Sequence, residues 1–197
     1  MTHEQKWCYL PKSQLEWGEI LVFFIFVVFL DVHNPETFHV QILSEVDAIN
    51  DFCFNLDSFY KQLEVDKKLN ELLIPANQCK IGVFVAAVYA HDNCWYRAQI
   101  IEFLTLSHVK IKFVDYGTCI DVAKSKLYFL KSPFTISDMK VSAYPAKLHG
   151  IKPIGSSNWK KKNSERFQEL VGCRKGDYSR ELGMSSLLIK FTFPENK

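Results

Sequence analysis

Hydrophobic and polar positions change their spacing along the chain, and the first change falls near residue 45. Residues 20–30 form an unbroken apolar run rich in β-branched and aromatic side chains, and residues 38–43 form a second strand-length run. A turn at residues 33–35 separates them, because the residue before a proline is disfavoured in helical geometry. The pattern predicts two paired strands. Residues 1–19 have little periodicity and are expected to be a poorly ordered lead-in.

The spacing becomes helical between residues 46 and 73. Apolar side chains recur there every three or four residues, at Ile49, Phe52, Leu56, Phe59, Leu63, Leu69, Leu72 and Leu73. This period predicts one amphipathic helix. Asp47 is the predicted N-cap, and Pro75 ends the segment because proline cannot continue a helical hydrogen-bond ladder.

Strand-length runs separated by short polar turns follow Pro75. They cover residues 81–90, 95–104, 109–116 and 119–122. Turns of this length are typical of antiparallel hairpins, so the region predicts a small, strongly bent β-barrel.

The C-terminal part has a weaker pattern. Residues 146–151 and 187–193 are predicted strands, and residues 159–171 a helix with Asn158 as N-cap and Gly172 as stop. The side chains that this helix is expected to offer to a core are Trp159, Phe167, Leu170 and Val171.

Composition limits the class of protein. The chain has 197 residues, of which 48% are hydrophobic and 14% aromatic, so a mostly disordered chain is excluded. A formal net charge of +2 gives no overall attraction to nucleic acid or anionic membrane. The apolar run of residues 20–30 is shorter than the roughly 20 residues of a membrane-spanning helix, and acidic residues before it disfavour a signal peptide. We therefore expect no membrane partner.

Candidate catalytic and metal-binding residues are scattered. The cysteines lie far apart without a C-x-x-C pair, at positions 8, 53, 79, 94, 119 and 173, which disfavours zinc and indicates reduced thiols in a cytosolic or nuclear protein. The histidines, at positions 3, 33, 39, 91, 108 and 149, have no neighbouring nucleophile and acid that would form a triad. We predict a non-enzymatic protein with no catalytic residue, metal or cofactor.

Two short motifs carry a family resemblance. Residues 95–98 read W-Y-R-A and residues 113–117 read F-V-D-Y-G, at a separation suited to adjacent strands. Together they resemble the Tudor domain. Residues 34–41 and 144–153 are similar to the segments that flank extended Tudor domains. The resemblance therefore covers most of the chain between residues 34 and 153.

This resemblance implies a mainly β fold with helices. A Tudor, SH3-like β-barrel at residues 79–126 would be joined by a long connecting helix at residues 46–78 to a staphylococcal-nuclease-like, OB-type lobe. That lobe would comprise residues 20–45 and 127–197.

The resemblance also implies a methylarginine cage. Its aromatic positions fall on Tyr89, Tyr96, Phe113 and Tyr116, and its fifth position, asparagine in the family, is Thr118 here. Methylation leaves the arginine charge in place, adds apolar methyls and removes hydrogen-bond donors, which favours an aromatic box over a carboxylate fork. Each ring face that contacts the cation contributes roughly 0.5–2 kcal/mol. Threonine offers only a short hydroxyl acceptor in place of the amide, so we expect modest affinity.

Other motif residues have predicted structural roles. Trp95 alternates with Tyr96 along the strand and is expected to face the barrel core. Arg97 and Asp115 form an expected ion pair that locks two strands together. Gly117 permits a positive φ in the turn that carries Tyr116.

Three functions remain open from the sequence. By resemblance, the domain would bind arginine-glycine-rich tails of Piwi-type proteins, symmetrically dimethylated by preference, and scaffold small-RNA silencing assemblies in cytoplasmic germ granules. A methylation-independent scaffold is one alternative. RNA binding by the OB-type lobe, through Lys160, Lys161 and Lys162 with Lys152 nearby, is another.

Overall fold

The structure, a computed structural model, describes residues 27–148 and 150–172. It consists of two antiparallel sheets and two helices. In chain order the elements are β1 (Val27–Asn34), β2 (Thr37–Ile42), α1 (Val46–Val65), β3 (Phe84–Tyr89), β4 (Cys94–Phe103), β5 (His108–Phe113), β6 (Cys119–Ala123), β7 (Tyr128–Phe129), β8 (Tyr144–Ala146) and α2 (Lys161–Leu170). No helix within the described ranges is long and apolar enough to cross a membrane.

The smaller sheet has the strand order β1-β2-β8 and packs against α2. Alternate residues of β1 and β2 are buried, as the two-residue period of a half-buried strand requires. The rings of Phe29 and Phe38 lie 5.2 Å apart, and Phe167 of α2 lies 5.5 Å from Phe38. Val40 and Val171 complete this small core.

The larger sheet has the strand order β6-β5-β4-β3-β7. One face of it buries a cluster of alternating apolar residues, including Val85, Ala87, Ala98, Ile100 and Ile111. Within the described residues no ladder joins β6 to β7, so the bent sheet of the predicted Tudor barrel does not close completely. The sheet also extends to β7, beyond the predicted boundary at residue 126.

Helix α1 covers the opposite face of the larger sheet. Tyr60 stacks on Trp95 with ring centroids 4.9 Å apart, and its hydroxyl donates to the carbonyl oxygen of Phe129 at 2.7 Å. Leu56 and Phe134 are also buried in this layer. Trp95 therefore lies between the sheet and α1, and the expectation that it faces the barrel core is wrong. Strand alternation correctly separates Trp95 from Tyr96, but it does not say which face α1 covers.

The predicted helix over residues 46–73 is too long. Helix α1 ends at Val65, Lys67 adopts a left-handed φ of 57°, and a separate 3₁₀ turn runs over Leu69–Leu72. The apolar spacing continues through this break because a 3₁₀ turn also places side chains three residues apart on one side. Asp47 is not the N-cap: Glu45 occupies that position, at the end of a preceding 3₁₀ turn.

Several other boundaries differ from the prediction. The first strand extends to Asn34, and the strand after β7 is β8 at Tyr144–Ala146 instead of residues 146–151. Helix α2 begins at Lys161, with Lys160 and not Asn158 as its N-cap. Leu170 is 58% exposed, contrary to the expectation that it faces a core.

Some predictions at the ends of the chain cannot be compared. The lead-in, residues 20–26 of the first predicted strand and the predicted strand at residues 187–193 lie outside the described residues. Gly172 does follow α2 with a left-handed φ of 76°, and its N–H bonds to the carbonyl oxygen of Glu169. The stop predicted at Gly172 is confirmed.

A buried ion pair connects the layers. The Arg97 side chain on β4 and the Asp115 carboxylate after β5 are each 1% exposed and meet in a bidentate contact, with Nε to Oδ2 at 2.9 Å and Nη2 to Oδ1 at 2.7 Å. The three remaining guanidinium N–H groups bond to main-chain carbonyl oxygens of Thr135, Met139 and Lys140. All five donors of the guanidinium are thus satisfied, which a buried arginine requires.

The Asp115 side of the pair is equally connected. Ser142 donates to Oδ1 from its hydroxyl at 2.6 Å, and the Gln41 amide on β2 donates to the Asp115 carbonyl oxygen at 2.6 Å. The Phe52 ring of α1 lies 4.5 Å below the guanidinium carbon. One ion pair therefore touches the larger sheet, the smaller sheet, α1 and the segment before β8.

Replacing Asp115 with asparagine should destabilise the fold strongly. The change leaves the Arg97 charge buried without its counter-ion, which costs about 3–5 kcal/mol. Urea unfolding measures the loss. Glu102→Gln is the matched control, because Glu102 and Lys110 form an exposed pair across the same two strands, whose loss costs about 0–1 kcal/mol. Equal losses in the two variants would contradict the role of the buried pair.

Candidate ligand-binding site

Three strand ends bring the predicted cage residues together. Tyr89 ends β3, Tyr96 lies near the start of β4, and Phe113 ends β5. The ladders pair Tyr89 with Cys94 and Phe113 with Ala98, so these three rings lie at one end of the sheet and on one face.

The fourth ring comes from a turn. Tyr116 was expected at the end of a strand, but β5 stops at Phe113 and residues 114–117 form a turn. The N–H of Gly117 donates to the Phe113 carbonyl oxygen at 2.7 Å, and the N–H of Phe113 donates to the Thr118 carbonyl oxygen at 2.9 Å. These bonds fold the turn back so that Tyr116 meets Tyr96.

The four rings form one continuous set of edge-to-face contacts. Centroid distances are 5.4 Å for Tyr89 and Phe113, 5.6 Å for Tyr96 and Phe113, 6.5 Å for Tyr89 and Tyr96, and 5.1 Å for Tyr96 and Tyr116. Tyr89 and Phe113 are buried, at 7% and 2% exposure, whereas Tyr96 and Tyr116 are half-buried. The first two therefore form the floor of the cluster and the other two its rim.

Both rim hydroxyls have polar neighbours. The Tyr96 hydroxyl donates to Oδ2 of Asp92 at 2.7 Å. The Tyr116 hydroxyl lies beside the Cys53 side chain on α1. Burial first, and these neighbours second, raise the pKa of both tyrosines well above the usual value. The rings consequently stay neutral at any physiological pH.

The turn that carries Tyr116 lies directly on the smaller sheet. Gly117 has a φ of 88°, and a Cβ built there would lie 2.3 Å from the His39 ring on β2. Only glycine therefore allows this approach. His39 Nδ1 is buried and has no hydrogen-bond partner among the residues that the structure describes; Oδ2 of Asp31 lies 3.9 Å away.

The predicted lysine patch lies elsewhere. Lys152, Lys160, Lys161 and Lys162 are all exposed, the last two at the start of α2. Lys161 Nζ lies 3.7 Å from Oε1 of Glu165, and Arg166 pairs with Glu169, so α2 presents both charges. Among the described residues no group of three or more histidine, cysteine or acidic side chains is placed to hold a metal ion.

Three residues at the cage were missed by sequence reasoning. The sequence pattern predicts only a turn at Asp92, a helix at Cys53 and, at His39, a strand of the nuclease-like lobe. A carboxylate three residues before the W-Y-R-A motif could have indicated a partner for Tyr96. The contacts of Cys53 and His39 are long-range, and no local pattern indicates them.

Two sheets with a long intervening helix and an aromatic cluster at one end of the larger sheet define an extended Tudor domain. The chain belongs to the Tudor domain family, whose sequence profile matches residues 22–150. Among curated relatives, mouse RING finger protein 17 is 28% identical over 144 residues, which are 73% of this chain and 8% of that protein. The chain spans about a tenth of the length of the curated relatives it matches.

Solved structures agree with this assignment. The extended Tudor domain TD3 of mouse TDRD1, in complex with a MILI peptide containing dimethylarginine, matches with a TM-score of 0.65 and 25% identity, over 79% of this chain and 74% of that one. An extended Tudor domain of Drosophila melanogaster Papi, in complex with a Piwi N-terminal peptide, matches with a TM-score of 0.67 and 23% identity, over 75% and 69% of the two chains. The predicted mainly β fold of the extended Tudor type is confirmed.

The contact between Gly117 and His39 predicts a specific steric cost. Gly117→Ala should lower the free energy of unfolding more than Gly82→Ala. Both glycines have a φ near 90°, where alanine costs about 1–2 kcal/mol, but a Cβ at Gly82 meets nothing within 4 Å. Urea unfolding of both variants measures the difference.

The double variant His39→Ala with Gly117→Ala tests whether the steric contact causes the destabilisation. It should recover part of the lost free energy of unfolding, because the ring that the new Cβ meets is absent. If Gly117→Ala and Gly82→Ala cost the same, the close packing is not energetically important.

His39 should make stability depend on pH. Burial lowers its pKa below 6.5; Asp31 raises it, while Lys112 and His33 lower it further. The unfolded chain then binds the proton more readily than the folded protein. The free energy of unfolding should be fully present above pH 6.5 and decrease as pH falls towards the lowered folded pKa.

Equilibrium unfolding between about pH 7.5 and about pH 5 measures this dependence. His39→Gln should flatten the curve, whereas His108→Gln, at an exposed position on β5, should leave it unchanged. A curve that keeps its slope in His39→Gln would assign the dependence to another group.

Proposed function

We propose that this domain is a non-enzymatic reader of methylated arginine. The observation that carries the proposal is the convergence of Tyr89, Tyr96, Phe113 and Tyr116 in one cluster with a half-exposed rim. The rings are neutral and present π faces and edges, which suit a cation that carries apolar methyl groups. The dimethylarginine peptide bound to TD3 of mouse TDRD1 supports the same chemistry.

Binding requires the rim to open. A planar cation that contacts two ring faces at 3.5–4 Å needs those rings about 7 Å apart. Tyr96 and Tyr116 are 5.1 Å apart and edge to face. They come from a strand and from a turn, so a small displacement of the turn can separate them without breaking a ladder bond. The floor formed by Tyr89 and Phe113 stays in place.

The partners that we propose are arginine-glycine-rich tails of Piwi-type proteins, with symmetric dimethylarginine preferred. Drosophila Papi extended Tudor domains in complex with Piwi N-terminal peptides, one unmethylated and one symmetrically dimethylated, support this partner class. Scaffolding of small-RNA silencing assemblies in cytoplasmic germ granules would follow from such binding. Thr118 keeps affinity modest, because its side chain lacks the amide that the family uses to accept an N–H of the guanidinium.

The mutual contacts of the four rings also favour one alternative. Rings that pack on one another can remain closed, and the domain would then act as a methylation-independent scaffold. RNA binding through Lys160, Lys161 and Lys162 is a further possibility, supported by the exposure of these lysines.

Titration calorimetry separates these functions. A peptide with symmetric dimethylarginine should bind more tightly than the unmodified peptide, and Tyr116→Ala should abolish the difference. Phe103→Ala is the matched control, since Phe103 is an exposed aromatic at the other end of the same sheet and should not change binding. Thermal unfolding verifies that both variants fold.

Other outcomes identify the alternatives. Equal affinity for the two peptides, unchanged in Tyr116→Ala, would contradict methylarginine reading and favour the scaffold. Affinity for a single-stranded RNA that falls steeply with salt and is lost when Lys160, Lys161 and Lys162 are replaced would favour nucleic-acid binding.

A further inference from the structure

An anionic side chain lies at the rim of the cage. The hairpin between β3 and β4 places Asp92 so that its Oδ2 accepts the Tyr96 hydroxyl at 2.7 Å and its Oδ1 accepts the N–H of Cys94 at 3.0 Å. Asn93 follows with a left-handed φ of 56°, which turns the hairpin tightly at this point. Two hydrogen bonds therefore fix the carboxylate beside a rim ring.

The Asp92 carboxylate can accept further hydrogen bonds. Each carboxylate oxygen can accept two hydrogen bonds, and each oxygen of Asp92 has one of the two bonds above. The side chain is exposed, and within the described part of the chain no basic group forms an ion pair with it. Lys61, which approaches Cys94 Sγ at 3.9 Å, is held by Asp57 at 2.8 Å instead.

The rest of the cage lacks a charged acceptor. The four rings are neutral, and Thr118 has no amide. A guanidinium bound between the rings would still carry N–H groups after dimethylation, and these need acceptors once they leave water. A quaternary ammonium such as trimethyllysine has no N–H and needs only the rings.

We propose that Asp92 is a specificity-determining residue of the cage, whose carboxylate accepts the remaining N–H of a methylated guanidinium and so selects it over a quaternary ammonium. This inference rests on the proposed function. Asp92 thereby supplies the acceptor that the side chain at Thr118 does not provide. The bond is charge-assisted and exceeds what a neutral amide would contribute.

Calorimetry with two peptides tests the assignment. One carries symmetric dimethylarginine, and the other carries trimethyllysine at the same position. Asp92→Asn preserves the shape and an acceptor for Tyr96 but removes the charge. It should lower the affinity for the dimethylarginine peptide about tenfold and the affinity for the trimethyllysine peptide by no more than about twofold. Asp121→Asn is the charge-matched control, because Asp121 is exposed on β6, and it should change neither affinity.

The outcomes are distinguishable from failure of the proposed function. If the wild-type domain does not bind the dimethylarginine peptide, both proposals are wrong. If Tyr116→Ala abolishes binding while Asp92→Asn binds as tightly as wild type, only the assignment of Asp92 is wrong. Equal weakening of both peptides by Asp92→Asn would also overturn it, since a general charge effect does not select for N–H groups.

Asp92→Ala provides the remaining comparison. It removes the bonds to Tyr96 and Cys94 as well as the charge. If Asp92→Ala weakens binding and Asp92→Asn does not, Asp92 only positions Tyr96, and the selectivity inference is overturned. A selective loss in both variants supports direct contact with the guanidinium.

Discussion

The bidentate contact between Arg97 and Asp115 is the interaction on which the rest of the structure depends. A buried charge pair contributes little net stability by itself, because desolvation offsets the attraction. The pair is important because it fixes the relative positions of the segments around it. All five guanidinium donors bond to acceptors on these segments, so moving one segment would leave a buried donor without its partner. Asp115 immediately precedes Tyr116, so the same contact fixes the start of the turn that carries Tyr116.

The floor and rim of the cage differ in how they are held. Tyr89 and Phe113 are part of ladders and of the main core, and they belong to the least mobile part of the sheet. Tyr96 also belongs to a ladder but is half-buried, with its hydroxyl bonded to Asp92, whereas Tyr116 lies in the turn beside Cys53. This difference fits the proposed binding of methylated arginine, because the half-buried rim is the part of the cluster that a cation can reach.

Sequence reasoning predicted the secondary-structure elements better than it predicted which elements pair or pack together. Strands and turns between residues 81 and 122 follow from a two-residue period and from polar turns, and the structure has strands within a few residues of each expected position. The helix over residues 46–73 failed because apolar spacing does not distinguish an α-helix from an α-helix followed by a 3₁₀ turn. Whether the bent sheet closes could not be deduced, because closure depends on whether two distant edge strands pair, and no local signal encodes that.

At the candidate site, too, the sequence predicted which residues take part better than it predicted their contacts. Motif residues placed Tyr89, Tyr96, Phe113 and Tyr116 in one proposed cage, and their rings do meet. The face on which Trp95 lies could not be deduced, since alternation gives relative and not absolute direction. The contacts of Cys53 with Tyr116 and of His39 with Gly117 join residues more than sixty positions apart, and only the folded chain reveals them.

The seating of Gly117 on His39 has a consequence for how such domains can be exchanged between proteins. The larger sheet transplanted as a separate module would lose part of the support of the turn that carries Tyr116, because His39 belongs to the other sheet. Recombination that preserves the site must therefore carry both sheets together. A boundary drawn around the strands of the larger sheet alone would separate Gly117 from the His39 ring on which it packs.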